Sequence, residues 1–224
     1  MPKLEWDKTG ERFYETGVSK GVLYTMKAGK YGEGVAWNGL SAINESPSGG
    51  EATPVYADNI KYLNLMSVEE LGATIEAYTY PDEFEECDGS FTLAPGITAG
   101  QQSRSKFGLC YRTEIGNDVT DTAGYKLHLL YGCLASPSEK SHSTVNDSPE
   151  AVTMSWTITT DPVKVPGAAK PSAGITIDSR NTDAKVLKAI EDALYGTESE
   201  APKFLSPQEI MDLITANSTK PKAK

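Results

Sequence analysis

In the stretch AVTMSWTITT, residues 151–160, Val152, Met154, Trp156 and Ile158 alternate strictly with Thr153, Ser155, Thr157 and Thr159. A period of two places the four apolar side chains on one face and the hydroxyls on the other, which is the pattern of a half-buried antiparallel strand. The same period groups Phe107, Leu109, Tyr111 and Ile115 in KFGLCYRTEIG, and Tyr125, Leu127, Leu129, Tyr131 and Cys133 in GYKLHLLYGCL. The turn-rich NDVTDTAG between those two runs suits a hairpin connection. Upstream, NIKYLNLMS and GATIEAYTY read as two strands around a polar bend at Val68 to Leu71, and SKGVLYTMK as an earlier one. Little helical periodicity precedes residue 160, so the expected fold class is mainly β, a sandwich or closed barrel with a short flanking helix.

The alternation defines a body over residues 1–162. Within it, residues 29–58 carry six glycines and two prolines around one weak strand near Val35 to Ile43, and this predicts a long loop. A loop there predicts that deletions within Asn44 to Thr53 leave the fold intact. Residues 163–173, KVPGAAKPSA with its preceding valine, read as a Pro/Gly/Ala linker. Residues 174–216 read as a short strand and two amphipathic helices. The first has Thr182 as N-cap, Asp183 in its first turn, Leu187, Ile190 and Leu194 as its apolar stripe and Gly196 as C-cap. The second starts with Ser206 as cap, Pro207 at the first helical position and Glu209 closing a capping box. The polar, basic tail 217–224 is expected to be disordered.

The chain of 224 residues has 31 acids against 21 bases, a formal charge of −10. That balance argues against wrapping nucleic acid by neutralising phosphates and against anionic membrane surfaces. No apolar stretch approaches the roughly 20 residues of a membrane helix, so no membrane insertion is expected. Cys87, Cys110 and Cys133 are odd in number, lie far apart and form no CxxC pair, which predicts reduced thiols rather than a disulfide framework or a zinc site. There is no GxSxG elbow, and only His128 and His142 offer imidazole. His128 sits between Leu127 and Leu129 in a strand, and His142 in a serine-rich loop. YGEGVAW offers Gly32 and Gly34 but has Trp37 where a dinucleotide fingerprint needs its third glycine, and Asp118 and Asp121 lack the oxygen spacing of a calcium loop. The sequence assigns no catalytic, cofactor-binding or metal-ligating residue, and the chain is not expected to be an enzyme.

One acidic run stands out. Asp82, Glu83, Glu85, Glu86 and Asp88 follow Pro81 and surround Phe84, with Gly89 as a stop. Early acids favour a helix N-terminus, so the run reads as a short solvated helical turn anchored by Phe84. A divalent-metal site on the run, with His128 or His142 in a hydrolase, is the competing reading. A carbohydrate- or surface-binding sandwich using Tyr56, Tyr62, Tyr78 and Tyr80 on one flat face is another.

Long runs of the chain resemble one known family. YADNIKYLNLMSVEELGATIEAYTYPDEFEECDG, GLCYRTEIGNDVTDTAGYKLHLLYGCLASPSEKSHSTVNDSPEAVTMSWTITTDPV and LKAIEDALYG are similar to the major tail tube proteins of long-tailed bacteriophages, over about residues 50–214. The resemblance implies a structural virion protein whose copies, six to a ring, stack into a hollow tail tube through which the genome is delivered. It implies contacts with itself, with the tape measure, tail terminator and distal tail proteins, and with double-stranded DNA in transit without specific binding. It implies a place in the phage tail, with the host cytoplasm before assembly. The long loop is then the expected axial contact between rings, and Glu76 and Glu114 the expected strand acids of the bore.

Overall fold

A computed structural model describes residues 3–142, 144 and 151–217. Its strands are β1 (Tyr14–Lys27), β2 (Lys30–Trp37), β3 (Leu40–Ser48), β4 (Ala52–Ala57), β5 (Ile60–Met66), β6 (Glu70–Ala77), β7 (Phe91–Ala94), β8 (Ile97–Ala99), β9 (Phe107–Gly116), β10 (Gly124–Ala135), β11 (Met154–Thr159) and β12 (Gly174–Asp178). A 3-10 turn, Asp82–Phe84, leads into α1 (Glu85–Asp88), and α2 (Ala184–Tyr195) and α3 (Pro207–Asn217) follow the last strand. The fold is mainly β, as the alternation requires.

The main sheet runs β2-β1-β9-β10-β11-β6-β3 with antiparallel neighbours, and β12 pairs with β10. Its terminal strands β2 and β3 do not pair, so of the expected sandwich or closed barrel the barrel is not formed. Strand β10 joins two halves of this path. Up to Cys133 it pairs with β9, and then Leu134 and Ala135 pair with β11. The change occurs at Gly132, where φ is +59° and the register slips between Leu130 and Cys133. A Cβ added there would meet Asp161 Cβ at 2.8 Å, so the close approach of the 161 backbone also demands glycine. The bulge separates Cys133 from Leu127, Leu129 and Tyr131, with which simple alternation grouped it.

Two cores result. Leu23, Trp37, Ile75, Phe84, Phe107, Leu109, Cys133, Trp156 and Ile158 fill the space between the two halves of the sheet. An aromatic cluster sits at its centre, with ring centroids 4.6 Å apart for Trp37–Phe84, 5.2 Å for Phe84–Trp156 and 5.4 Å for Phe84–Phe107. Tyr24, Cys110, Leu127, Leu129 and Tyr131 on the opposite face meet Val186, Leu187, Ile190, Leu194 and Ile210 of the helices. Strand β9 is therefore apolar on both faces, and Gly108 leaves room for the Phe204 ring, which an added Cβ would meet at 2.6 Å.

The helix ends follow local rules with one shift. Ser206 and Glu209 form the expected capping box, with Ser206 N–H donating to Glu209 Oε2 at 2.8 Å. The cap of α2 is Asp183, whose carboxylate accepts from the Lys185 N–H at 2.9 Å. Thr182, expected in that role, instead donates its hydroxyl to the Asp178 carbonyl. Strand β12 extends the main sheet, and α2 and α3 pack on one face of that sheet as a further layer.

The expected loop at residues 29–58 is a correction. It consists of β2, β3 and β4; Gly32 and Gly34 lie within β2, and Gly29, Gly39, Gly49 and Gly50 lie between strands. Ala28 and Gly29 both have positive φ, as do Asp58 and Asn59, and these two-residue turns close the β1–β2 and β4–β5 hairpins. Asn44 to Ser48 pair with β6, so a deletion there removes ladder hydrogen bonds and is not neutral. The tail from 218 onward lies outside the described residues.

Trp156 is fully buried, and its indole N–H donates to Asp88 Oδ1 at 2.9 Å. Trp156→Ala is expected to cost about 3–5 kcal/mol in urea unfolding. Trp156→Phe, which keeps most of the ring but loses the donor, should cost less. Equal losses for both variants would show that the hydrogen bond, not the packing, dominates.

Candidate assembly surfaces

Strands β3 and β6 continue past a kink at Gly49 and Gly50 into β4 and β5, making one long hairpin from residue 40 to residue 77. Its inner half is packed; its outer half is not. Tyr56, Ile60, Tyr62, Leu65 and Met66 are 58–69% exposed, and Leu63 is 40% exposed. The register puts Leu63 and Leu65 on one face with Val55 and Thr53, and, past a shift at Tyr62, Ile60 on that same face opposite Ala57, whereas Met66 and Tyr56 lie on the other. An isolated two-stranded ribbon is marginal in water, and one that is apolar on both faces calls for a partner surface.

A second surface is the outer face of β3, β6 and β11. Across it, Ala42, Glu76 and Ser155 form one row, Asn44, Thr74 and Thr157 the next, and Ser46, Gly72 and Thr159 a third. These rows are hydroxyl-rich, carry one amide at Asn44 and one acid at Glu76, and include no lysine or arginine. Glu114 lies elsewhere. It is ion-paired with Arg112 at 2.9 Å, and the Arg112 guanidinium lies 3.8 Å over the Tyr125 ring, whose hydroxyl reaches Glu191 of α2. Glu76 and Glu114 thus face different layers.

The acidic run forms the expected short turn. Asp82, Glu83 and Glu86 are exposed, Glu85 is half-buried with its carboxylate accepting from Thr92, and Phe84 is fully buried. Gly89 ends the turn with φ +80°. Asp88 departs from its neighbours: it is buried, and besides Trp156 it accepts from Lys140 Nζ at 2.7 Å. A carboxylate taken out of water needs such partners. Among the described residues no group of three or more His, Cys, Asp or Glu side chains converges to hold a metal ion. His142 is exposed and distant in sequence from the run.

The tyrosines of the carbohydrate-binding reading do not share a face. Tyr56 and Tyr62 are on the outer hairpin and Tyr78 is exposed, while Tyr80 packs edge-on against Trp156 at 5.6 Å. The three thiols are buried and free. Burial pushes those of Cys87 and Cys110 up to about 12, and Cys133 upward too.

His128 stacks on Tyr111 with ring centroids 4.7 Å apart. Thr113 donates its hydroxyl to Glu15, so His128 Nε2–H donates to Thr113 Oγ1 at 2.9 Å and Nδ1 faces the Thr176 hydroxyl. Burial holds this imidazole below its ordinary 6.5, even with Glu15 and Glu45 nearby. The unfolded chain then takes up a proton more readily than the folded one. Stability is fully present above 6.5 and falls as pH drops below it. His128→Gln should flatten the fall in melting temperature between about pH 7 and about pH 5 relative to the parent chain. In the acidic run, replacing Asp82, Glu83 and Glu86 by serine should leave stability within about 0.5 kcal/mol, whereas Phe84→Ser should unfold the protein.

No family model matches the chain, and no curated protein matches it. Among solved structures, a chain of the cryo-EM structure of the anti-feeding prophage baseplate, 6-fold symmetrised, matches with a TM-score of 0.39 and 8% identity, covering 78% of this chain and 97% of that one.

Proposed function

We propose that this chain is a structural protein of a phage tail, a major tail tube protein whose copies close into rings, six to a ring, and stack into the conduit for genome delivery. The observation that carries this reading is the outer hairpin, apolar on both faces and exposed on both. The sequence resemblance over about residues 50–214 supports it from a separate direction. A surface that matches a different patch on the next copy makes contacts that do not close, and such contacts build filaments. The hairpin then supplies the axial contact between rings, and the unpaired outer edge of β3 a lateral one.

On this reading the bore is walled by the outer face of β3, β6 and β11, with Glu76 as its acid. Glu114 takes no part. A wall of hydroxyls and carboxylates on a subunit of charge −10 gives about −60 for six copies, a field that lets phosphates pass without holding them. The chain has no catalytic role, and its partners are further copies, the tape measure protein, the tail terminator and distal tail proteins, and DNA in transit.

The test is assembly. At raised concentration, or when nucleated by other tail proteins, the purified chain should form rings or tubes under negative stain. Tyr62→Asp with Leu65→Asp should leave circular dichroism and melting temperature unchanged, because both side chains are exposed, and should abolish stacking. A chain that light scattering finds monomeric at every concentration, with and without those proteins, defeats the reading.

A further inference from the structure

Strand β12 is an edge of the main sheet, paired only with β10 among the described strands. The bonds Tyr131 N–H to Ala173 O and Ser179 N–H to Tyr125 O fix the phase of that ladder. They turn residues 173, 175, 177 and 179 toward β10 and Thr176 and Asp178 outward. Beside this edge lies a groove of about 370 Å³ whose apolar lining includes Ile175, Ile177, Val186, Ile190, Met211 and Ile214. The one ionisable side chain in the groove, Asp178, is held by Arg180 at 2.7 Å. The groove therefore offers no unpaired charge to repel an approaching acidic copy.

At the other end of the chain, Lys3-Leu4-Glu5-Trp6-Asp7 alternates charged and apolar residues with the period of a strand, yet no sheet includes it. Leu4 and Trp6 are 72% and 76% exposed. The root of this arm is fixed at the β9–β10 connection, where Gly10 N–H donates to Asp118 Oδ1 at 2.9 Å and Arg12 Nη2 to the Asp7 carbonyl at 2.7 Å. A strand pattern without a sheet and a sheet edge without a strand complement each other.

We propose that the N-terminal arm of a second copy, residues 3–6, adds to the outward edge of β12 at Thr176 and seats Leu4 and Trp6 in the groove between β12, α2 and α3. The edge is short, since the Asp178 carbonyl already accepts from Thr182 and the Gly174 N–H is taken by Ser172 Oγ; Thr176 is the outward residue left to pair, and a single extended chain can meet it where the β4–β5 hairpin, whose backbone groups already pair with each other, cannot. Burying Trp6, Leu4 and the strand between them removes on the order of 400 Å² per partner, about half of a standard interface side. One arm therefore holds two copies weakly. In a ring or stack each copy gives one arm and receives one, and the contact adds to the others. The inference rests on the self-assembly proposed above, but its test does not require tubes to form.

The probe is a synthetic peptide of residues 1–9 added to dilute full-length protein, with the methyl resonances of Ile175, Ile177, Ile210, Met211 and Ile214 observed by NMR. Shifts confined to these methyls are expected. A peptide with Leu4→Ser and Trp6→Ser should bind about tenfold more weakly or worse. In the full chain, Trp6→Ser should weaken assembly while leaving the melting temperature unchanged. Absence of shifts at about 1 mM peptide, or shifts elsewhere on the molecule, overturns the site. If Trp6→Ser alone moves the same methyls in dilute monomer, the arm occupies its own groove, and the second-copy assignment falls. Tubes that assemble normally from the Trp6→Ser chain remove the arm from the assembly contact while leaving the tube reading in place.

Discussion

The bend of β10 at Gly132 is the constraint on which the other layers depend. A single strand supplies ladder hydrogen bonds to β9 and β12 before the bend and to β11 after it. Because the bulge inserts extra length on one strand, it also reverses which side chain faces which layer. Tyr131 looks toward the helices, with its hydroxyl donating to the Leu205 carbonyl, and Cys133 looks into the space between the two halves of the sheet. A straight β10 would leave β11, β6 and β3 with no strand to join and Trp156 with no opposing wall.

The inner core is then closed by a polar contact. Asp88, at the end of the acidic turn, receives the Trp156 indole N–H and the Lys140 ammonium, and its carbonyl receives Arg104. These bonds fix α1 over the aromatic cluster and hold the 136–142 segment against it. The acidic run is thus two things at once. Asp82, Glu83 and Glu86 are solvated, while Asp88 and Phe84 are structural, and the division follows from which side of a short helix each residue occupies.

With α2 and α3 covering one face of the main sheet and the sandwich filling the other, little of the body is left apolar and open. What remains is at the periphery: the outer hairpin, the short β7–β8 ribbon with Phe91, Leu93 and Ile97, the N-terminal arm and the groove beside β12. The outer hairpin, the β7–β8 ribbon and the arm contribute no residue to either core, so they can serve contacts between molecules without unfolding the subunit.

Periodicity in the sequence determined the strands that carry the core. The alternation around Trp156, the apolar runs of β9 and β10, the stripe of α2 and the capping box at Ser206 and Glu209 are local patterns, and local physics suffices to read them. The glycines of residues 29–58 misled because a glycine that closes a two-residue hairpin and one that loosens a loop are the same letter; only pairing distinguishes them. Partnership was not legible. Tyr14 pairs with Gly116 and Met154 with Ala77, and nothing in a period of two says which distant strand supplies the hydrogen bonds. Nor does it say that β10 changes sheets, that Asp88 alone of five acids is buried, or that Glu76 and Glu114 face different layers. Those outcomes depend on contacts between residues far apart in sequence, which exist only once the chain has closed on itself.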